Sequence, residues 1–172
     1  QVLQEESDAL RAYYEQAGIL IARPAGGTSC RLAISAKGGT NAENHNHNDV
    51  GSYAVALGSE TMVGDQGGPN SYPGDYFNGD APQKYKIKGS FGHPVPVVDG
   101  RTQSSGGKAK GVVLQKEFTN EKDVFSIDYT SAYSTPNLDK LIRTFVYDRQ
   151  GKGNFTVGDE FTAKTPIRFE TA

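Results

Sequence analysis

Apolar and polar residues alternate in short runs along most of this chain, the period of a strand with one face in a core and the other in solvent. Such runs fall at 18–22, 31–35, 52–57, 61–63, 95–98, 111–118, 124–129, 141–147, 155–161 and 167–169. Ten short runs separated by turn residues predict an all-β fold, an antiparallel β-sandwich. One stretch breaks the period. Leu10, Tyr13, Tyr14 and Ala17 stand at helical spacing behind Ser7, a helix-capping residue type, and Gly18 stands where a helix commonly stops. That spacing predicts a short N-terminal helix ahead of the strands.

Gly58-Ser59 between two runs is a two-residue hairpin signal, which makes 52–63 an antiparallel hairpin. The segment 65–92 has six glycines and three prolines in 28 residues and neither strand nor helix period, so it reads as a long loop. Loops of that length are uncommon unless functional or disordered. Tyr72, Tyr76, Phe77 and Tyr85 argue for order and for an aromatic binding rim. No repeat or linker divides the chain, so residues 1–172 read as a single domain. The last run, 167–169, comes almost at the end, as if the domain were truncated from a longer protein.

Composition supports this picture: 21 glycines, nine tyrosines and eight phenylalanines suit strands and tight turns. With 18 basic and 20 acidic residues the net charge is −2, which lacks the basic surface that nucleic-acid binding requires. No apolar run is long enough to insert into a membrane, and residues 1–8 show no basic-then-apolar secretion signal. Cys30 is the single cysteine and reads as a small buried thiol.

All three histidines lie between positions 45 and 93, two of them in Asn44-His45-Asn46-His47-Asn48-Asp49. In an extended segment His45, His47 and Asp49 share a face. Imidazole and carboxylate are ligands that Zn²⁺ accepts, four at about 2.0–2.2 Å; Ca²⁺ would demand more oxygens and is the lesser expectation. Asp65 and His93, both at strand–loop junctions, are the candidate further ligands. A hairpin turning at Gly58-Ser59 sets Asp65 opposite Ser52, leaving His47 about 17 Å upstream if the chain is straight. The chain must therefore bend, and Asn48-Asp49-Val50-Gly51 suits a bend. A cupin barrel also uses His-X-His, but the glutamate it needs four or five residues on is absent: those positions hold Gly51 and Ser52.

The string from His45 to Tyr53, the block Gly64-Asp65-Gln66-Gly67, a following tyrosine, and the block from Gly92 to Gln103 occur in the order seen in heparinase II/III-like polysaccharide lyases, which this chain resembles. Ala17-Gly18-Ile19-Leu20-Ile21-Ala22-Arg23 and Arg143-Thr144-Phe145-Val146-Tyr147 add to the resemblance, which covers roughly 15–165. His93-Pro94 departs from the family's usual His-Asn.

The resemblance implies the family's C-terminal β-sandwich, a structural Zn²⁺ on His47, Asp65 and His93, and His45 facing the substrate cleft as a catalytic helper. The implied reaction is β-elimination in uronic-acid polysaccharides such as heparin, heparan or alginate. It needs a base at C5, an acid at the leaving oxygen and a neutraliser for the carboxylate; Tyr72 and Tyr76 are the local candidates. In the family the remaining catalytic groups come from a preceding (α/α) toroid domain absent from this chain. The fragment is therefore expected to be inactive alone, its parent exported to a bacterial periplasm or surface. A non-catalytic glycan-binding sandwich, with Tyr72, Tyr76 and Phe77 as sugar platforms, is the alternative.

Overall fold

A computed structural model describes residues 9–65 and 68–171. Among them the chain order is β1 (Arg11–Tyr14), β2 (Ile19–Ala22), β3 (Leu32–Lys37), β4 (Gly39–Asn41), β5 (Tyr53–Leu57), β6 (Glu60–Val63), α1 (Ala81–Lys84), β7 (Val97–Val98), β8 (Gly106–Phe118), β9 (Lys122–Asp128), β10 (Leu138–Asp148), β11 (Asn154–Ala163) and β12 (Phe169–Glu170). One sheet has the order β1-β2-β3-β5-β6, a second β11-β10-β9-β8-β4, and β12 pairs with β7 in a small third. The ladders are antiparallel. The all-β sandwich expected from the alternation is the observed fold.

The core lies between the two larger sheets. Leu20, Ala22, Ile34 and Ala36 from the first face Phe125, Ile127, Leu141, Phe145 and Tyr147 from the second. Along β10 every second residue points inward, Leu141, Arg143, Phe145 and Tyr147 all being buried. Each large apolar side chain so placed contributes roughly 1.5–3 kcal/mol. Two of the inward positions are polar in kind: Arg143, between Leu141 and Phe145 on β10, and Asp123, near the start of β9.

The predicted N-terminal helix is corrected in part. Ser7, its cap, lies outside the described residues, but Arg11–Tyr14 is strand β1, paired from Arg11↔Ala22 to Tyr14↔Ile19. Helical spacing of four apolar residues is a weak local preference. As a strand, Tyr13 instead sets its ring 5.7 Å from Phe118 and 5.8 Å from Phe125.

The short strand β4 also went unanticipated. The chain crosses from the first sheet to the second at Gly38-Gly39; Gly39 has φ +67°, and a Cβ there would meet the Ala17 carbonyl oxygen at 2.5 Å. Only glycine fits such a crossing.

The hairpin turns at Gly58-Ser59 as expected, with Leu57↔Glu60 as the closing pair, but the register shifts between Val55 and Ala56. Continued past Val55↔Val63, the ladder would set Asp65 against Tyr53 instead of Ser52. Within the long loop, Tyr72, Tyr76, Phe77 and Tyr85 pack with ring centroids 5.0–5.2 Å apart. The Asp75 carboxylate accepts from the Tyr85 hydroxyl at 2.5 Å and pairs with Lys84. The loop is thus ordered by its own side chains. Among the described residues no helix is long and apolar enough to cross a membrane.

Candidate metal centre and substrate cleft

The run from Asn44 to Asp49 is not extended, and the shared face expected for His45, His47 and Asp49 does not form. His45 has φ +58°, a left-handed conformation uncommon outside glycine, and this turns the strand period off. Its ring stacks on Phe77 at 4.4 Å. Asp49 turns the other way and pairs with Lys37 at 2.5 Å. His47 alone of the three points toward the remaining histidine.

His47, Asp65 and His93 each bring one ligand atom into a group whose members all lie within 4.8 Å of one another. His47 Nδ1 is 3.1 Å from His93 Nε2, and Asp65 Oδ2 is 3.4 Å from His93 Nδ1 and 4.0 Å from His47 Nδ1. Ligands of a tetrahedral ion at 2.0–2.2 Å stand about 3.3–3.6 Å apart; with one ligand atom taken from each residue the group spans up to 4.8 Å, so its side chains would draw together around an ion. Burial first, and then His93, hold the His47 imidazole below its ordinary value against the pull of Asp49 and Asp65. The neutral ring this favours is the form that ligates. Nearby, the buried Tyr76 hydroxyl has no hydrogen-bond partner among the described residues and feels the Asp65 charge. A polar atom so placed fits a site that takes a further group. Asp65 and His93 line a cavity of about 200 Å³ with Pro94 and Tyr53.

The bend that brings His47 here is held by a buried polar frame. Gly51, with φ +87°, reverses the chain. The Gln103 carboxamide accepts from Val50 N–H at 3.0 Å and donates to Val50 C=O at 2.7 Å, so it pairs with that residue as a neighbouring strand would. It also accepts from the Asn41 amide at 2.9 Å, and Asn41 accepts from Asp49 N–H at 3.1 Å. The Asn48 amide donates to Gln103 C=O at 3.0 Å. Arg143, opposite Asp159 across β10 and β11, grips that carboxylate with Nε and Nη2 at 2.8 and 2.7 Å. Its Nη1 donates to Gly51 C=O at 2.8 Å and to Pro94 C=O at 2.7 Å. One guanidinium therefore ties the His47 loop to the residue after His93. Burial alone would lower the Arg143 value, but the Asp159 hydrogen bonds outweigh it and hold the group charged. The proline after His93 gives up an amide donor, yet its carbonyl is what Arg143 fixes.

His45 faces a different opening, a polar cleft of about 430 Å³ that it lines with Asn46, Phe77, Asn78, Lys88 and Ser105. Tyr72 packs on the other neighbours of Phe77 and is 57% exposed, whereas Tyr76 is 2% exposed. Of the aromatic rim expected in this loop, Tyr72 and Phe77 are open, Tyr85 is half-buried and Tyr76 is buried. The two candidate catalytic tyrosines thus stand differently to solvent, Tyr72 open and Tyr76 buried.

No protein-family model and no curated protein matches the sequence. Among solved structures, the fold is similar to a crystal structure of a heparan sulfate lyase HepC mutant from Pedobacter heparinus. The TM-score is 0.69 at 19% identity, over 92% of this chain and 23% of that one. The likeness shows a shared fold. This chain spans about a quarter of the lyase's length.

Against that fold, the residues that sequence reasoning missed are the ones that hold the loops. Gln103, Asn41, Asn48 and Arg143 carry no spacing signal of their own, since each acts on a backbone group far away in sequence. The Gly64-to-Gly67 block is described only as far as Asp65; Gln66 and Gly67 lie outside the described residues.

Proposed function

We propose that this chain is the β-sandwich portion of a polysaccharide lyase acting on uronic-acid-containing polysaccharides by β-elimination. The observation that carries the reading is the separation of roles in one short run. His47 groups with Asp65 and His93, of which the last two line one cavity, while His45, two residues earlier, lines a separate cleft with Phe77. The fold likeness to a heparan sulfate lyase over 92% of the chain supports it.

In this reading His47, Asp65 and His93 hold a structural Zn²⁺. The ion supplies a cross-link between the His47 loop, the end of β6 and the approach to β7, and no chemistry on the sugar. His45 acts at the cleft. In the reaction a base takes the C5 proton, the C–H electron pair becomes the C4–C5 double bond, and the C4–O bond breaks with a proton delivered to the leaving oxygen. His45 serves proton transfer at this cleft, and Tyr72, packed against the same Phe77 ring, supplies an exposed phenol. The remaining catalytic groups come from a helical domain outside this chain, which makes the chain inactive alone. The full enzyme belongs in a bacterial periplasm or outside the cell.

Two measurements test this. Elemental analysis of the purified chain should give one zinc per molecule, and His47→Ala and Asp65→Ala should each lose it; a metal-free wild type refutes the site. Incubating the full-length protein with heparan sulfate, hyaluronan and alginate should raise the ultraviolet absorbance of the conjugated uronate on one of them. The chain alone should raise none. Absence of any rise with the full-length protein favours the second reading, a glycan-binding sandwich that uses the open faces of Tyr72 and Phe77.

A further inference from the structure

Three cations are buried among the described residues: Lys88, Arg143 and Arg149. The two arginines hold the carboxylates of Asp159 and Asp123. Lys88 is as deeply placed, 2% exposed, and the described residues offer it no carboxylate within ion-pair distance. Its Nζ donates to the Tyr76 carbonyl at 2.8 Å and lies 4.8 and 5.2 Å from the Tyr76 and Phe77 ring centroids. An ammonium has three protons to give, and one carbonyl takes one of them. Burying a charge without an opposite charge is costly, and strongly desolvated titratable groups in clefts cluster at functional sites.

The position of Lys88 says where that ligand would come from. It forms part of the wall of the His45 cleft, with Phe77, Asn78 and Ser105. Its backbone is fixed, because its carbonyl accepts from Asn48 N–H at 2.8 Å and its N–H donates to Tyr85 C=O at 2.9 Å. The chain on either side therefore cannot carry the amine away to solvent.

We propose that Lys88 is the anion-recognising group of this cleft, binding the carboxylate or sulfate of an acidic sugar next to His45. This rests on the reading of the cleft as a glycan site and adds the residue that selects for charge. Desolvation holds the Lys88 amine below its ordinary value. An oxyanion in the cleft restores what burial removes, and the resulting pair is stronger than the same pair in water. Neutral sugars gain nothing from it.

The test is a titration of the isotope-labelled chain with three tetrasaccharides: hyaluronan, which has carboxylates only; heparan sulfate, which has both groups; and chitin, which has neither. Amide shifts at Asn46, Phe77 and Asn78 are expected with the first two and not the third. Shifts with heparan sulfate alone would assign the group to sulfate, and shifts with both to carboxylate. Lys88→Met should weaken the acidic probes roughly thirtyfold or more and keep its zinc. If that variant folds poorly, wild-type affinity measured against salt serves instead, and should fall as salt rises. Equal binding of acidic and neutral probes, no shifts with any of them, or unchanged affinity in Lys88→Met makes Lys88 a strut for the Tyr76 carbonyl and overturns the proposal. Zinc content and ultraviolet absorbance are read separately, so failure here is distinguishable from failure of the metal site or of the lyase.

Discussion

Arg143 and Arg149 stand six positions apart, one on β10 and one just beyond it, about 20 Å at the rise of a strand. Both are buried, and each grips a buried or nearly buried carboxylate and two or more backbone carbonyls. Arg149 donates to the carbonyls of Arg23 at 2.7 Å and Leu10 at 3.0 Å and pairs with Asp123, which Arg11 also reaches at 2.8 Å. That cluster sews the N-terminal strands onto β9 and β10. Arg143 grips instead the carbonyls of Gly51 and Pro94, the backbone beside His47 and His93. The same device closes the sandwich at one end and holds the backbone beside His47 and His93 at the other. The two ends differ in what each guanidinium holds besides its carboxylate, since both spend their charge on that carboxylate.

The largest effects should come from breaking each grip. Removing one partner of a buried pair costs about 3–5 kcal/mol, because the other is left without compensation. Arg143→Met and Arg149→Met should both lose stability on that scale in urea unfolding. They should part company in zinc affinity, measured on folded protein: Arg143→Met loses about 10–100-fold, the range for a support shell behind metal ligands, and Arg149→Met keeps the wild-type value. Equal losses would mean that metal affinity merely follows global stability.

This contrast also shows what a sequence displays and what it hides. Strands β9, β10 and β11 were legible because their apolar residues keep period 2 over seven to eleven positions. The turn at Gly58-Ser59 was legible from two residues, as local chemistry sets it. Strand β4 was not: Gly39-Thr40-Asn41 has no apolar side chain, and its existence depends on β8 alongside. For the site, the set His47, Asp65 and His93 came from the family resemblance, residue type alone having offered Asp65 and His93 only as candidates. The grouping of His45 and Asp49 with His47 failed, since alternation assumes an extended backbone and one positive φ at His45 cancels it. Arg143 and Gln103 entered only as members of the resembling blocks and Lys88 not at all, because burial of a charge or carboxamide is decided by strands tens of residues away.

A smaller effect separates the two ends by pH. His47 is held below the ordinary imidazole value by burial and by His93, so the unfolded chain takes up its proton first as pH falls. The stability of the metal-free chain should be full above about pH 6.5. It should decline as pH drops from there toward the folded value, by at most about 1.4 kcal/mol per unit. Urea unfolding after chelation, at pH values on either side of 6.5, measures the slope. His47→Asn should flatten it, and Arg149→Met, though much less stable, should keep it. A slope that survives His47→Asn would place the titrating group elsewhere.

The smallest effect is expected where a cation is paired but not buried. Lys116 reaches Glu15 at 3.0 Å and lies over the Tyr13 ring at 4.7 Å, with both charged groups open to water. Water already solvates each charge, so the pair adds little, and exposed pairs commonly measure within about 1 kcal/mol. Lys116→Met keeps the stem that covers Tyr13 and removes only the charge, and should change unfolding stability by less than about 0.5 kcal/mol. A loss approaching that of the arginine variants would show that pairing alone, without burial, carries the energy. The two ends of the sandwich would then differ in wiring but not in kind from its surface.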